Sequence, residues 1–552
     1  MATYSFETIT DAQALSFQTG DVLQFQSGPA TLAGIAYSPG ASAEADRIVI
    51  TLGGRSVAFT GAVAAASQTG GLKFPDASML YIGDGGANDR RLAESDPAAA
   101  AMFGGSGNDT LQAGAGSGLL QGNQGADSLT AGVGSNTVYG GQDNDTIVIV
   151  AGGGRNFLQG NKGTDTVTGG AGADTLLGGQ DDDRLIGGGG TDFLNGNLGH
   201  DYLTGSGQLF GEAGADTLEA AAYGTNVLNG GPDFDVLVSL RDFPDGNGGS
   251  NTMYGEAGND RITARGGGHD EMYGGDGADT IVNESAGADI LDGGEGDDSL
   301  TGAIDFGDNI RGGDGADWIK DQGGANTIDG GSGDDLMFLS DGDGTIAGGV
   351  GDDTIYAEWY GDKLINGGEG ADEIRGGRGH DTINGDAGDD GIYASYGSNR
   401  FNGGDGNDGI YTRSIDGQNT LDGGSGMDRL WGGPSIDWLI GGPGVDHFRI
   451  SGGESSKTAG RSDRIMDWSS TETLSVGTQL YDNSYYRELA APDYASALSQ
   501  ASSLLQTQYI SIVVAEVGGD TFVFAGRGVT NAVMLVGCSL NDIASSNFVY
   551  EN

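Results

Sequence analysis

Between residues 104 and 448 one nonapeptide, Gly-Gly-x-Gly-x-Asp-x-apolar-x, returns about every nine residues. It opens as Gly104-Gly105-Ser106-Gly107-Asn108-Asp109-Thr110-Leu111 and closes as Gly441-Gly442-Pro443-Gly444-Val445-Asp446-His447-Phe448. So short a period argues against a globule with one central core, because a single unit of nine residues cannot bury its apolar side chain alone. The glycines admit the left-handed backbone of tight turns, and x-apolar-x is a short strand with one side chain pointing inward. Two nonapeptides therefore make one coil, and stacked coils share a thin continuous core.

We call the aspartate position the slot. Taken at every second repeat, it holds Asp109, Asp127, Asp145, Asp165, Asp183, Asp201, Asp216, Asp235, Asp260, Asp279, Asp298, Asp317, Asp335, Asp353, Asp372, Asp390, Asp408, Asp428 and Asp446, all 19 of them aspartate. The intervening repeats hold Gly118, Asn136, Asn156, Asp174, Asp192, Gly207, Asn226, Asn251, Asp270, Asp289, Asp308, Asn326, Gly344, Asp362, Asp381, Asn399, Asn419 and Asp437, of which only 8 in 18 are aspartate. Two residues past every slot stands an apolar side chain, from Leu111 and Leu120 to Leu439 and Phe448.

With so many copies in register, the stretch resembles the RTX (repeats-in-toxin) family, whose calcium-binding nonapeptide has this form. The likeness covers roughly three-fifths of the chain. It implies an all-β fold, a long right-handed parallel β-roll, with calcium as the cofactor and export by a type I secretion apparatus. At a strand spacing of about 4.8 Å, some 18 coils would make a rod on the order of 90 Å long. Alternate repeats fall on opposite edges, where slot carboxylates and turn carbonyls can converge on a hard cation that takes six or more oxygens. The all-aspartate edge is expected to carry a nearly unbroken calcium column. On the other edge the expected ligands are Asp174 with Asp192, Asp270 with Asp289 and Asp308, Asp362 with Asp381, and Asp437. Stacked asparagines elsewhere can hydrogen-bond along that edge without metal.

Composition supports a solenoid held by metal. The chain has 552 residues, 110 of them glycine, and only 36% hydrophobic residues, too few for ordinary cores at this length. Its 79 acidic and 25 basic residues give a net charge of −54, which argues against nucleic acid and anionic membrane as partners. So acidic a chain would be disordered without a counterion, and on the order of 20 divalent ions would cancel most of the charge. Extracellular calcium modules have dissociation constants of about 10⁻⁴ to 10⁻³ M, so the chain is expected to stay unfolded inside the cell and to fold outside it. The single Cys538 allows no intramolecular disulfide. Met1 to Glu7 lacks a basic and apolar leader, and no run of 18 apolar residues occurs, so export is expected to use another signal, the alternative being a cytosolic protein, and membrane insertion is not expected.

The flanks differ in composition and suggest three parts: residues 1–100, 101–450 and 451–552. Runs such as Arg47-Ile48-Val49-Ile50-Thr51-Leu52 predict a small N-terminal β domain. Residues 89–102 predict a short helical connector with Pro97 at its start, and Tyr81-Ile82-Gly83-Asp84 a strand covering the first coil. Asp463-Arg464-Ile465-Met466-Asp467-Trp468 is similar to the segment that closes such rolls with a bulky aromatic. Residues 492–506 predict an amphipathic helix, followed by three strands. Asn547-Phe548-Val549-Tyr550-Glu551-Asn552 resembles the apolar tails that type I systems recognise, departing from them by its two final polar residues, and an edge strand of a capping domain is a second, compatible reading.

His200, His269, His380 and His447 form no His-Glu-x-x-His pair, and no Gly-x-Ser-x-Gly or Gly-Lys-Ser/Thr occurs, so protease, lipase and nucleotide sites lack support. Phe157, Phe193, Tyr202, Trp318 and Trp438, one past a slot, are expected to face outward, where aromatics can meet a partner or a saccharide. The favoured expectation is a secreted, non-catalytic surface-layer, matrix or adhesive protein that self-associates or binds a cell-surface saccharide. Its competitor is a secreted enzyme or saccharide-binding protein whose site lies in the N-terminal domain.

Overall fold

A computed structural model describes residues 2–38, 47–150, 152–221, 224–240, 249–304, 306–357, 359–394, 396–413, 417–450, 462–475, 486–506, 510, 512–526, 529 and 531–549. The chain forms two units, Met1–Gly275 and Asp276–Asn552. Each is built mainly from parallel β-coils.

The first unit begins with a small domain. Arg47–Leu52 pairs antiparallel with Arg55–Thr60 around the Gly53-Gly54 turn and with Gly34–Ser38 on its other side. A second sheet joins Thr3–Ser5, Val22–Gln24 and Leu72–Lys73 in parallel. Two helices too short to show a 3.6-residue period, Asp11–Leu15 and Ala62–Gln68, complete it. Thr10 and Gln13 close the first of these with a capping box. The core of Phe6, Phe17, Phe25 and Phe59 continues into Leu80, Ile82 and Phe103, so this domain covers the first coil.

That coil starts before the repeat does. Met79–Ile82 pairs with Ala100–Ser106, which pairs with Gly118–Gln124, while Asp89–Arg91 pairs with Thr110–Gln112. The helical connector expected over residues 89–102 is thus replaced by two strands and a turn. The Asp96 carboxylate accepts the Ala98 N–H at 3.0 Å, and its carbonyl accepts the Ala115 N–H at 2.6 Å. Ala100 and Ala101 are buried in the ladder, whose bonds outweigh the modest helix preference of alanine.

From there two parallel sheets face each other across the core. One aligns Leu111 with Leu129 and Ile147, the other Leu120 with Val138 and Leu158, and all six are fully buried. The 25-residue step from Asn226 to Asn251 keeps register, because these two pair directly; residues 241–248 lie outside the described residues.

In the second unit two such ladders reach Trp438–Ile440 and His447–Arg449. Asp463–Ile465 and Thr473–Ser475 add one further strand to each, and Trp468 packs against the last core aromatic with its ring 6.2 Å from that of Phe448. Asn531–Leu535 then pairs with Asp463–Ile465, and Phe548–Val549 with Leu474 and Ser475. The expected helix is Tyr494–Leu505, capped by Asp493 and packed through Ala497, Ala501 and Leu505 on Val513, Phe522 and Phe524. Among the described residues no helix is long and apolar enough to cross a membrane.

Candidate metal centre

Three local constraints fix each slot carboxylate. The residue after the slot bonds to the slot carbonyl one coil earlier, as the Ser128 N–H does to Asp109 at 2.8 Å. The carboxylate Oδ1 accepts the N–H of the preceding slot, from 2.7 Å for Asp109 to Asp127 up to 3.0 Å for Asp428 to Asp446. The first glycine of each turn lies directly beneath the other oxygen, so a Cβ on Gly104, Gly122 or Gly140 would collide with Oδ2 of Asp109, Asp127 or Asp145.

That second oxygen is what the fold leaves open. From Asp109 to Asp235, and again from Asp298 to Asp446, every Oδ2 of the all-aspartate edge is buried without a hydrogen-bond partner. Asp260 and Asp279 occupy the same position and are equally buried. Burial is the main force raising the carboxyls of Asp109, Asp127 and Asp183 from an ordinary value near 3.8 to about 6, about 7 and about 8, and neighbouring carboxylates push the same way. A buried charge without a partner is costly, so this column demands cations. Among the described residues no three His, Cys, Asp or Glu side chains cluster as a ready metal cage. Each edge has at most one slot carboxylate per coil, and with the turn carbonyls beside it this gives a donor set of hard oxygens that suits calcium.

Much of the other edge satisfies itself. Asn136 Nδ2 donates to the carbonyls of Gly132 and Gly134 at 2.9 and 2.7 Å and to Asn156 Oδ1 at 2.9 Å. Its amide thus stands where a cation would, and Asn156 and Asn419 act likewise toward Asp174 and Asp437 at 2.8 Å. Asp174, Asp192 and Asp381 join the open-oxygen pattern, each with a glycine turn below it. Asp270 is buried in its slot as well. Asp289 Oδ2 instead accepts from Asn283 and Ser285 at 2.8 and 2.6 Å, Asp308 Oδ2 from the Ala303 N–H at 2.9 Å, and Asp437 from the Ser435 hydroxyl at 2.9 Å. Those three carboxylates already have protein donors.

Asp362 requires a correction. It is exposed, and Lys363 fills the slot, 4% exposed, with Ile365 as the inward residue and Leu364 turned outward. Lys363 Nζ donates to the carbonyls of Trp359, Tyr360 and Gly361 at 3.3 Å each. Its ammonium takes the place of a metal ion in that turn.

A model of the RTX calcium-binding nonapeptide repeat matches residues 103–237, 245–281, 285–359, 364–414 and 416–453, more than half of the chain. The chain belongs to this family. RTX repeats bind calcium, and proteins that carry them are typically secreted. No curated protein matches the chain.

The RTX columns also extend past the repeats that sequence reading found. Asn88 precedes Asp109 in its column, donating its N–H to Asp109 Oδ1 at 2.6 Å. Asp463 follows Asp437, and Glu472 follows Asp446. An apolar residue two places on, Ile465 or Leu474, was the signal that could have found the last two. The histidines serve the turns of the roll: His200 and His380 accept backbone N–H groups of Ala215 and Ser398 at 2.7 and 3.0 Å, His447 bonds Thr473 at 2.7 Å, and His269 pairs with Glu271 at 3.7 Å. Trp318 and Trp438 face outward at 37% and 39% exposure. Phe157, Phe193 and Tyr202 are half-covered by Tyr139, Phe210 and Arg184.

Proposed function

We propose that this protein is a secreted, non-catalytic RTX protein that calcium folds outside the cell, where it assembles into a surface-layer, matrix or adhesive component. The observation that carries this reading is the run of buried slot carboxylates with one oxygen unbonded, opposite an edge whose asparagines and Lys363 supply their own donors. Such a chain spends its design on a metal-held scaffold. The ligands are the aspartates from Asp109 to Asp446, joined on the other edge by Asp174, Asp192, Asp270 and Asp381. The C-terminal region addresses the chain to a type I apparatus, and scarce cytosolic calcium leaves it unfolded for passage. Outward aromatics such as Trp318 and Trp438 offer contacts to a second copy or to a cell-surface saccharide.

Electron microscopy of the purified protein with calcium and with a chelator tests the assembly. Ordered sheets or filaments that dissolve on chelation are expected, and soluble monomers at high concentration in calcium would defeat it. One feature favours the second reading, a saccharide-binding or saccharide-modifying N-terminal part. A cleft of about 900 Å³ lies between Ile35 and Ile48 of the small domain and the amides Gln121, Gln124 and Asn161 of the first coils. Soaking oligosaccharides into that cleft separates the two readings.

A further inference from the structure

The closing segment continues the aspartate column without the glycine turn. The Thr473 N–H donates to the Asp446 carbonyl at 3.0 Å, the bond made after every slot, and His447 stands in register with Thr473. Glu472 is therefore the next slot residue, although Asp467-Trp468-Ser469-Ser470-Thr471 replaces the glycine-rich turn before it. Glu472 is 2% exposed and its Oε2 has no hydrogen-bond partner; the neighbouring Asp446 is fully buried with its Oδ2 equally unbonded. Asp467 binds the same end of the roll, accepting the N–H groups of Gly441 and Gly442 at 3.0 and 2.7 Å. The C-terminal tail rests on this turn. Asn547 Nδ2 donates to the carbonyls of Ser470 and Glu472 at 3.0 and 2.8 Å, and Phe548–Val549 pairs with Leu474 and Ser475.

We propose that Glu472 and Asp446 bind a calcium ion at the end of the column, and that this ion docks the C-terminal tail on the roll. The inference rests on the calcium reading of the slots. Without the ion, two unscreened carboxylates face each other across one strand spacing of about 4.8 Å and push the closing turn off the last coil. Both acceptors of Asn547 lie on that turn, so the tail leaves with it. With the ion, the turn and tail lock together. A tail read by an export apparatus is then free where calcium is scarce and folded away where calcium is plentiful.

Native mass spectrometry of the full chain in saturating calcium counts ions, and hydrogen exchange follows Phe548 and Val549. Glu472→Gln is expected to carry one ion fewer, and its tail amides to exchange roughly tenfold faster in calcium, with the circular dichroism of the roll unchanged. An ion count and tail protection equal to those of the unaltered protein overturn the proposal. If Glu472→Gln does not fold, anomalous diffraction from the unaltered protein decides: a peak within about 2.3–2.6 Å of the Glu472 carboxylate supports it, and peaks confined to the earlier slots overturn it. Unaltered protein that binds no calcium at all defeats the calcium reading itself and this inference with it.

Discussion

Lys363 shows how much one slot decides. An ammonium has three donors and no acceptor, and here all three meet turn carbonyls. Lys363→Met would leave those carbonyls bare and is expected to cost about 1–3 kcal/mol by denaturant unfolding in calcium. Lys363→Asp would recover the loss in calcium only. The glycine under each carboxylate is the opposite case, since it contributes by lacking a side chain. Gly140→Ala forces a methyl against Asp145 Oδ2 and is expected to cost about 1–3 kcal/mol, read as a raised calcium midpoint for folding. The same glycine explains how Asp362 was misplaced. Asp362 and Lys363 each have an apolar residue two places on, Leu364 or Ile365, so the apolar rule cannot choose between them. Counting back four from Gly367, which must sit under Asp372, selects Lys363.

At the scale of strands, what the nonapeptide pattern made legible is the inward face. The outward face carries an order it did not reveal. Phe338, Tyr356, Arg375, Tyr393, Tyr411, Trp431 and Arg449 occupy one outward row of successive strands. Phe338 and Tyr356 stack at 5.2 Å and Tyr393 and Tyr411 at 5.3 Å, with the Arg375 guanidinium between Tyr356 and Tyr393. These residues lie three past a slot, whereas Trp318 and Trp438 lie one past it. Tyr393→Ala should cost about 1 kcal/mol as cross-strand and cation–π contacts are lost, measurable by thermal unfolding in calcium. The connector was misread for a different reason: alanine preference is local, while the ladder that claims residues 100–102 comes from a neighbouring coil. At the other end, removal of residues 531–552 is expected to keep the protein inside the producing cell, and removal of residues 1–88 is not. Fractionation of cells and medium checks this, and normal export of the shortened chain would refute the tail as signal.

For the whole molecule the governing quantity is charge, −54 before any ion binds. Chelation should abolish most β signal in circular dichroism, and the signal should return as calcium nears roughly millimolar. Acidity should act in opposite directions with and without metal. Burial raises slot carboxyls such as Asp109, to about 6, and Asp183, to about 8, from an ordinary 3.8, so the metal-free fold holds protons more tightly than the unfolded chain. Its stability is greatest below the ordinary value and is lost as pH rises through 6 to 8. In chelator, more β signal should therefore survive at pH 5 than at pH 8. In calcium the order should reverse, because protons compete for the same oxygens.

The unlike edges also impose a parity on the length of the chain. Excising residues 385–402 removes a full coil and joins Asn384 to Gly403, so every later slot stays on its own edge. Excising residues 385–393 alone would set Asn399 in the aspartate column and throw Asp408 onto the asparagine side. Asn399 and Asn419 would then present amides where ions are needed, and Asp408, Asp428 and Asp446 would present carboxylates on the other edge. Such a protein can grow or shrink by pairs of repeats, and a single repeat gained or lost is a frameshift written in three dimensions.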